Sequence, residues 1–168
     1  WSVQVDAELA DGTFDVTATV KDAAGNDASD TTTSELKVDT QAPDAPTVDT
    51  QITNDSTPVV TGTAVLNDGE TLTVVINGVT YDNVDVDDNG NWSVQVGSEL
   101  IDGTYDVTAT VKDAAGNDAS DNTTSELKVD TQAPDAPTVD TQITNDSTPV
   151  VTGSAVLNSD ETLTVVIN

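Results

Sequence analysis

Apolar and polar residues alternate along most of the chain, a pattern typical of strands with one buried face rather than of helices. The alternating runs are rich in Val and Thr, and Gly, Asn and Asp bound them at positions that favour turns. We therefore predict an all-β chain. The residues predicted to point inward are Leu72, Val74, Ile76, Val84, Val86, Trp92, Val94, Val96, Tyr105, Val107, Ala109, Val111, Leu127 and Val129.

About seven short strands fall within roughly 90 residues, which favours an immunoglobulin-like sandwich of two packed sheets. Trp92 alternates with Val94 and Val96, so we interpret it as the main packing residue of the core. An exposed platform on which a sugar ring stacks is the alternative role for this side chain.

The sequence repeats itself with a period of 91 residues. Residues 1–77 align with residues 92–168, and 69 of these 77 pairs are identical. This period is longer than the roughly 20–50 residues of a solenoid unit, so each repeat is predicted to be one whole small domain.

The segment VDTQAPDAPTV marks the boundaries, because its two prolines restrict the backbone and lack amide protons. We predict a complete repeat at 42–132, the last three strands of a preceding repeat at 1–41 and the first three of a following repeat at 133–168. Neither partial repeat can bury a two-sheet core alone. Two hypotheses follow: the terminal halves pair head to tail between chains, or the chain is a piece of a longer array.

The composition narrows the range of functions. Four basic and 31 acidic side chains give a net charge of −27, which argues against nucleic acid or an anionic membrane as a partner and favours cations. No apolar run approaches the roughly 20 residues needed for membrane insertion. No cysteine or histidine is present, so disulfides, thiol chemistry and the commonest general base are unavailable. Each aspartate of interest also recurs in every repeat that contains its position, and catalysis seldom needs one site per repeat. We therefore expect a protein that is not an enzyme.

The acidic loop KDAAGNDASD is predicted to join the last two strands, at the pole where the incoming linker arrives. This placement brings Asp113, Asn117 and Asp118 close to Asp39 and Asp44. Calcium takes six to eight oxygen ligands, and a glycine-containing acidic loop supplies such ligands at suitable spacing. The loop at 67–70 lies at the same pole and could add one more. The equivalent candidate ligands in the other repeats are Asp22, Asn26, Asp27, Asp130 and Asp135, and the site at the second junction is expected to be incomplete.

Three other interpretations of the acidic residues remain open. The Asp113 loop could be an Asx turn that caps its own backbone without a metal. The segment DVDDNG resembles half of an EF-hand loop, but Val96 stands where the bidentate glutamate belongs, so we prefer a hairpin with outward aspartates. A uniformly acidic surface that keeps the chain soluble at high salt is the third.

Several segments together resemble one family: the extender repeats of bacterial immunoglobulin-like domains in giant secreted adhesins of the RTX type and in biofilm-associated proteins. They are DTQAPDAPTV, TPVVTGTA, TLTVVING, DDNGNWSVQV and GTYDVTATVKDAAGN. The resemblance implies an extracellular, type I secreted stalk that calcium stiffens and that holds an adhesive tip away from the cell. A ligand- or glycan-binding adhesin module is the alternative, and Tyr81 is its candidate contact residue.

Overall fold

The computed structural model describes all 168 residues and contains sixteen short strands and no helix, which confirms the predicted all-β class. Because no helix is present, none is long and apolar enough to cross a membrane. In chain order the strands are β1 (Gly12–Phe14), β2 (Thr19–Lys21), β3 (Asp27–Ser29), β4 (Leu36–Val38), β5 (Thr47–Val48), β6 (Gln51–Thr53), β7 (Val59–Thr63), β8 (Thr71–Ile76), β9 (Val79–Tyr81), β10 (Asn91–Gln95), β11 (Gly103–Tyr105), β12 (Val107–Lys112), β13 (Asp118–Ser120), β14 (Leu127–Val129), β15 (Thr138–Val139) and β16 (Gly153–Ser154).

Strands β5 to β14 form the middle repeat. One sheet has the order β10-β7-β5. The other layer contains the sheet β13-β12-β8-β9 and its continuation β11-β14-β6, in which β6 runs parallel to β14. A two-residue turn at Asn77 and Gly78 joins β8 to β9, and both residues have positive φ, as a type I′ hairpin requires.

The predicted alternation decides which side chains enter the space between these sheets. Leu72, Val74 and Ile76 of β8 are buried, as are Trp92 and Val94 of β10. Of the residues predicted to point inward, only Val84, Val86 and Tyr105 are half-buried rather than fully buried, and they pack against the core. The predicted strand around Val84 is reduced to a single bridge between Val86 and Trp92.

The indole of Trp92 lies against the backbone of the facing strand. Its Nε1 donates a hydrogen bond to the Thr47 carbonyl oxygen at 3.2 Å. A Cβ atom on Gly62 would lie 2.1 Å from that oxygen and 2.5 Å from Cζ2 of Trp92. Gly62 therefore makes room for the tryptophan, and the structure supports the core role that the sequence favoured for Trp92.

An irregular segment, residues 121–126, separates β13 from β14, and two carboxylates hold it in place. Ser125 has positive φ, and its N–H donates to Asp106 Oδ1 at 2.7 Å. The N–H of Val107 donates to Glu126 Oε2 at 3.0 Å, and the Glu126 side chain is only 2 % exposed. Burial raises the pKa of Glu126, but the hydrogen bonds to its carboxylate outweigh burial, so its pKa lies below the ordinary value. This segment interrupts the last strand, and Asp106 interrupts the strand that faces it. Both interruptions help to explain why the repeat contains ten strand pieces instead of about seven.

The two terminal segments keep the pairings that lie within each segment. Strand β1 pairs with β4, β2 with β3, and β15 with β16, in the registers seen 91 residues away in the middle repeat. All buried residues, however, lie between Pro46 and Val129. The boundaries at 41/42 and 132/133 remain predictions.

Candidate metal site at the repeat junction

The loop from Asp113 to Asn117 is a tight turn between β12 and β13. Asp113 Oδ1 accepts hydrogen bonds from the N–H of Gly116 at 2.7 Å and of Asn117 at 2.8 Å. Gly116 has φ of +100°, a conformation that a glycine adopts without strain. The loop is therefore an Asx-type turn, the geometry that the metal-free interpretation of the sequence describes.

Asn117 connects this turn to the preceding repeat. Its side-chain Nδ2 donates to Asp113 Oδ2 at 2.8 Å and to the backbone carbonyl oxygen of Asp39 at 2.9 Å. Asp39 directly follows β4, the last strand of the N-terminal segment. One amide group thus links the acidic loop of the middle repeat to the linker that enters it.

The turn keeps its carboxylate ionised. The side-chain hydrogen bond from Asn117 lowers the pKa of Asp113 below its ordinary value, and backbone N–H groups of the turn contribute to the same effect against a smaller opposing effect of burial. Asp113 therefore carries a negative charge at neutral pH, which suits a carboxylate ligand of a hard cation.

An open cleft of about 430 Å³ lies where the linker meets the middle repeat. Lys37 is the one basic residue at its wall, and its Nζ lies 3.3 Å from Asp39 Oδ2. The sequence did not single out this lysine, because its position depends on the junction rather than on a local motif. The side chains with ligand oxygens that line the cleft are Asp39, Gln41, Asp44, Asn67, Asp68, Glu70 and Asp113.

The loop at 67–70 forms the wall opposite the linker. Glu70 Oε2 accepts a hydrogen bond from the N–H of Asn67 at 2.8 Å, and Oε1 accepts one from the Asn67 side chain at 3.1 Å. Gly69 has φ of +87°, and a Cβ atom placed there would lie 3.8 Å from Cβ of Ala114. The two loops are therefore neighbours, and each fixes its own shape by internal hydrogen bonds.

The carboxylates line the cleft without forming a ready-made coordination shell. No three acidic side chains in the chain lie close enough together to hold a metal ion. Asp39, Asp44 and Asp113 share the cleft, as the sequence predicted for their position. A cation held there would draw on these carboxylates after rotation of their side chains, and on carbonyl oxygens and water.

The remaining predicted ligands lie in other surroundings. Asp118 begins β13, pairs with Lys112 across the hairpin and does not line the cleft. Asp135 lines a similar cleft of about 460 Å³ with Asp160 and Glu161, whereas Asp130 is exposed and does not.

In the N-terminal segment the acidic loop repeats the same turn. Asp22 Oδ1 accepts from the N–H groups of Ala24 and Asn26, and Oδ2 accepts from the Asn26 side chain at 2.7 Å. Asp27 starts β3 and is exposed, and the Asn26 amide makes no bond of the kind that joins Asn117 to Asp39.

The EF-hand-like segment and the candidate glycan contact Tyr81 both have structural roles. Asp87 accepts hydrogen bonds from the backbone N–H groups of Asn89 and Asn91 through Oδ1, so the EF-hand-like segment is a hairpin turn. Tyr81 is half-buried against the core, and its hydroxyl oxygen accepts a hydrogen bond from the N–H of Gly97 at 3.3 Å. Its ring is not a free platform.

These features define the chain as an array of immunoglobulin-like sandwiches with acidic junctions. Comparison with family models gives a match to the bacterial Ig-like domain over residues 1–40 and 42–131. The matches cover well over half of the chain, which therefore belongs to the bacterial Ig-like domain family, a family that is typically non-enzymatic. A comparison with curated proteins found no match.

Proposed function

We propose that the chain is a stalk segment of a bacterial surface adhesin, exported from the cell by type I secretion, and that Ca²⁺ bound at the repeat junctions stiffens it. Membership of the bacterial Ig-like family supports an extracellular, adhesin-like module. The stalk projects an adhesive tip for attachment to a surface or for biofilm formation. Its partners are neighbouring repeats of the same chain.

The observation that carries this proposal is the junction cleft. Five carboxylates and two amide side chains surround a space of about 430 Å³, opposed by a single lysine. Charges of one sign in such a space repel one another, and a divalent cation relieves that repulsion while it binds both sides of the junction. The linker prolines and the bond from Asn117 to Asp39 already restrict the angle between repeats, and calcium adds to this restriction.

Small-angle scattering of the chain in calcium, in EDTA, and in EDTA with sodium chloride of matched ionic strength tests the role of the ion. We expect a larger maximum dimension and a narrower range of shapes in calcium only. If sodium chloride restores the same shape, screening of repulsion explains the acid and the metal proposal fails. No change in any buffer would also contradict it.

Calorimetric titration with calcium assigns the site. Asp113→Asn is expected to weaken binding by about tenfold or more from a millimolar to sub-millimolar affinity, since it removes a charged ligand. Asp22→Asn is the matched control, because it changes the same turn in a repeat where no linker crosses it. Equal effects of the two variants would move the ion away from the junction.

In the complete middle repeat, the alternative function of a ligand- or glycan-binding adhesin module lacks a comparable aromatic surface. Trp92 is buried, and Tyr81 and Tyr105 are half-buried with their hydroxyl groups in hydrogen bonds to the backbone. Binding to a glycan array that disappears in Tyr81→Ala would favour this alternative over the stalk.

A further inference from the structure

Two Asn-Gly pairs lie in turns of the middle repeat. Asn77 and Gly78 form the two-residue turn between β8 and β9, and Asn89 and Gly90 lie in the turn that precedes β10. In such a pair the glycine amide nitrogen can attack the asparagine side-chain carbon, because glycine has no side chain to hinder the approach. In a folded protein this reaction requires a glycine N–H that is free and a turn that can move. The two turns differ in both respects.

The glycine of the second pair is held in place. The N–H of Gly90 donates a hydrogen bond to the Asp87 carbonyl oxygen at 2.9 Å, and the Gly90 carbonyl oxygen accepts one from the N–H of Ala64 at 2.9 Å. The N–H of Asn89 donates to Asp87 Oδ1, also at 2.9 Å. Attack by the Gly90 nitrogen would break the first of these bonds, so the fold protects Asn89.

The glycine of the first pair is free. Asn77 and Gly78 are both exposed, and the N–H of Gly78 donates to no backbone carbonyl oxygen. The ladder of the hairpin begins with the residues on either side of the turn, Ile76 and Val79. Apart from its neighbours in the chain, no atom lies within 4 Å of a Cβ position on Gly78. Side chains from other parts of the protein therefore do not restrain this turn.

We propose that Asn77 is a site of spontaneous deamidation, at which aspartate and isoaspartate accumulate in the folded protein, whereas Asn89 is protected. Water is the only co-reactant. The Gly78 nitrogen loses its proton to solvent and bonds to Cγ of Asn77, the bond from Cγ to Nδ2 breaks, and the side-chain nitrogen leaves as ammonia. Water then adds to either carbonyl carbon of the five-membered ring. The bond from that carbon to the Gly78 nitrogen breaks, and this nitrogen regains a proton.

The isoaspartate product alters the hairpin more than the aspartate product does. Its chain runs through the former side chain, which adds one methylene group to a turn whose twist matches that of the two strands. Aspartate at position 77 keeps the turn, because Asp-Gly also favours type I′. Strand β9 is three residues long and pairs only with β8. Its register therefore depends on this turn, and isoaspartate loosens the strand.

Tyr81 connects the edge strand β9 to the rest of the repeat. Its ring packs against the core, and its hydroxyl oxygen accepts a hydrogen bond from the N–H of Gly97 at 3.3 Å. Loosening of β9 weakens both contacts, so a change at an exposed turn reaches the core. Neither Asn77 nor Gly78 lines the junction cleft, which makes this proposal independent of calcium.

Mass spectrometry of proteolytic peptides, after incubation of the chain near physiological temperature, tests the site. We expect deamidation at Asn77 to exceed that at Asn89 by about tenfold, the factor that one hydrogen bond lost in the attack can supply. In denaturant the two Asn-Gly pairs should react at similar rates, which makes the unfolded chain the matched control. Equal rates in the folded protein, or an Asn77 that reacts only in denaturant, would overturn the proposal.

Hydrogen exchange tests the effect on β9. The variant Asn77→Asp has the aspartate product from the start and contains no isoaspartate when fresh. Amide exchange in β9 should be faster in the isoaspartate fraction of the aged chain than in the fresh chain, and unchanged in fresh Asn77→Asp. Equal exchange in all three samples, or equally fast exchange in fresh Asn77→Asp, would contradict a role for the added methylene group.

Discussion

The acidic turns at Asp22 and Asp113 both accept hydrogen bonds from the backbone and side chain of an asparagine four residues later, although one turn lies in a partial repeat and the other in a complete one. Trp1 and Trp92 also have the same neighbours in sequence, yet one is exposed and the other buried. The difference shows that the turns form from residues a few positions apart. Burial depends on a facing strand about thirty residues away in the chain, since Trp92 faces Gly62.

The strand pairs that survive in the terminal segments support the same conclusion. Thr19 still bonds to Ser29 as Thr110 bonds to Ser120, and Ser34 keeps the positive φ of Ser125. Glu35 still accepts a hydrogen bond from the N–H of Val16, but it is exposed where Glu126 is buried. Local hydrogen bonds therefore do not require the core, whereas exclusion of water does.

Removal of the tryptophan side chain should show the largest difference in stability between the middle repeat, which contains Trp92, and the N-terminal segment, which contains Trp1. Trp92→Ala is expected to destabilise the middle repeat by about 3–5 kcal/mol, through lost apolar contact and the cavity left behind. Trp1→Ala should change the unfolding temperature very little. Scanning calorimetry compares the unfolding temperatures of the two variants, and equal shifts would contradict the conclusion that only Trp92 belongs to a closed core.

A methyl group at Gly62 should disturb the packing of Trp92 from the facing strand β7. Gly62→Ala places a Cβ atom in conflict with the Thr47 carbonyl and the indole, at an expected cost of about 1–3 kcal/mol. Gly97→Ala serves as the control, since no atom lies within 4 Å of that Cβ position. Urea unfolding followed by circular dichroism measures both, and an unchanged midpoint for Gly62→Ala would show that the strands can separate at no cost.

The free energy of unfolding should depend on pH through the buried Glu126 but not through Glu35, its exposed equivalent in the first repeat. The ordinary pKa of 4.5 is lowered for Glu126 in the folded state, so its stabilising contribution is present above that value and is lost as the pH falls through the folded pKa. Glu126→Gln should cost about 1–2 kcal/mol at neutral pH, because a charge-assisted hydrogen bond becomes a neutral one.

Urea midpoints between pH 7 and pH 3 measure this effect. The curve of Glu126→Gln should be flatter than that of the unmodified chain, while Glu35→Gln should leave the curve unchanged, because Glu35 lies outside the middle repeat whose unfolding is measured. Parallel curves for all three proteins would show that ionisation of Glu126 does not stabilise the fold.

The smallest effect is expected at the tyrosine corner, a feature of immunoglobulin-like folds. The Tyr105 hydroxyl donates to the Ile101 carbonyl oxygen at 2.7 Å, and Phe14 occupies the equivalent position in the first repeat. Tyr105→Phe should lower stability by about 1 kcal/mol or less, the value of one partly exposed hydrogen bond. Phe14→Tyr is the control and should not change the unfolding of the middle repeat. A loss above that range would indicate a packing role for the hydroxyl.

Much of the fold could be predicted from alternation and turn residues. The inward positions from Leu72 to Val129 were identified because period-two alternation reports directly on which face of a strand is buried. The strand at 118–120 and the burial of Glu126 were not predicted, because both depend on where the last strand pairs with β12 and β11 and where it is interrupted, which no local pattern signals. The strand expected near Val84 failed because Asn83 adopts positive φ and interrupts the extended backbone.

The arrangement of residues at the junction could be predicted only in part. The sequence indicated that the linker and the acidic loop meet at one pole, and Asp39, Asp44 and Asp113 line one cleft there. The hydrogen bond from Asn117 to the Asp39 carbonyl and the approach of Lys37 were missed. Both depend on how two repeats are placed relative to each other, which no spacing within one repeat encodes. Calcium binding at this cleft stays a prediction.

Most of the strands, the turns, the 91-residue repeat and the acidic character of the loops can be predicted from the sequence, because each depends on residues close together in the chain or on composition. Tertiary structure alone decided which of two identical tryptophans is buried, which of two equivalent glutamates loses contact with water, and where Asn117 finds its partner. The two differences in burial require the facing strands β7, β8, β10 and β12 to be present in one sandwich, and the Asn117 contact requires the linker from the preceding repeat. Only contacts between distant parts of the chain exclude water from both sheets at once.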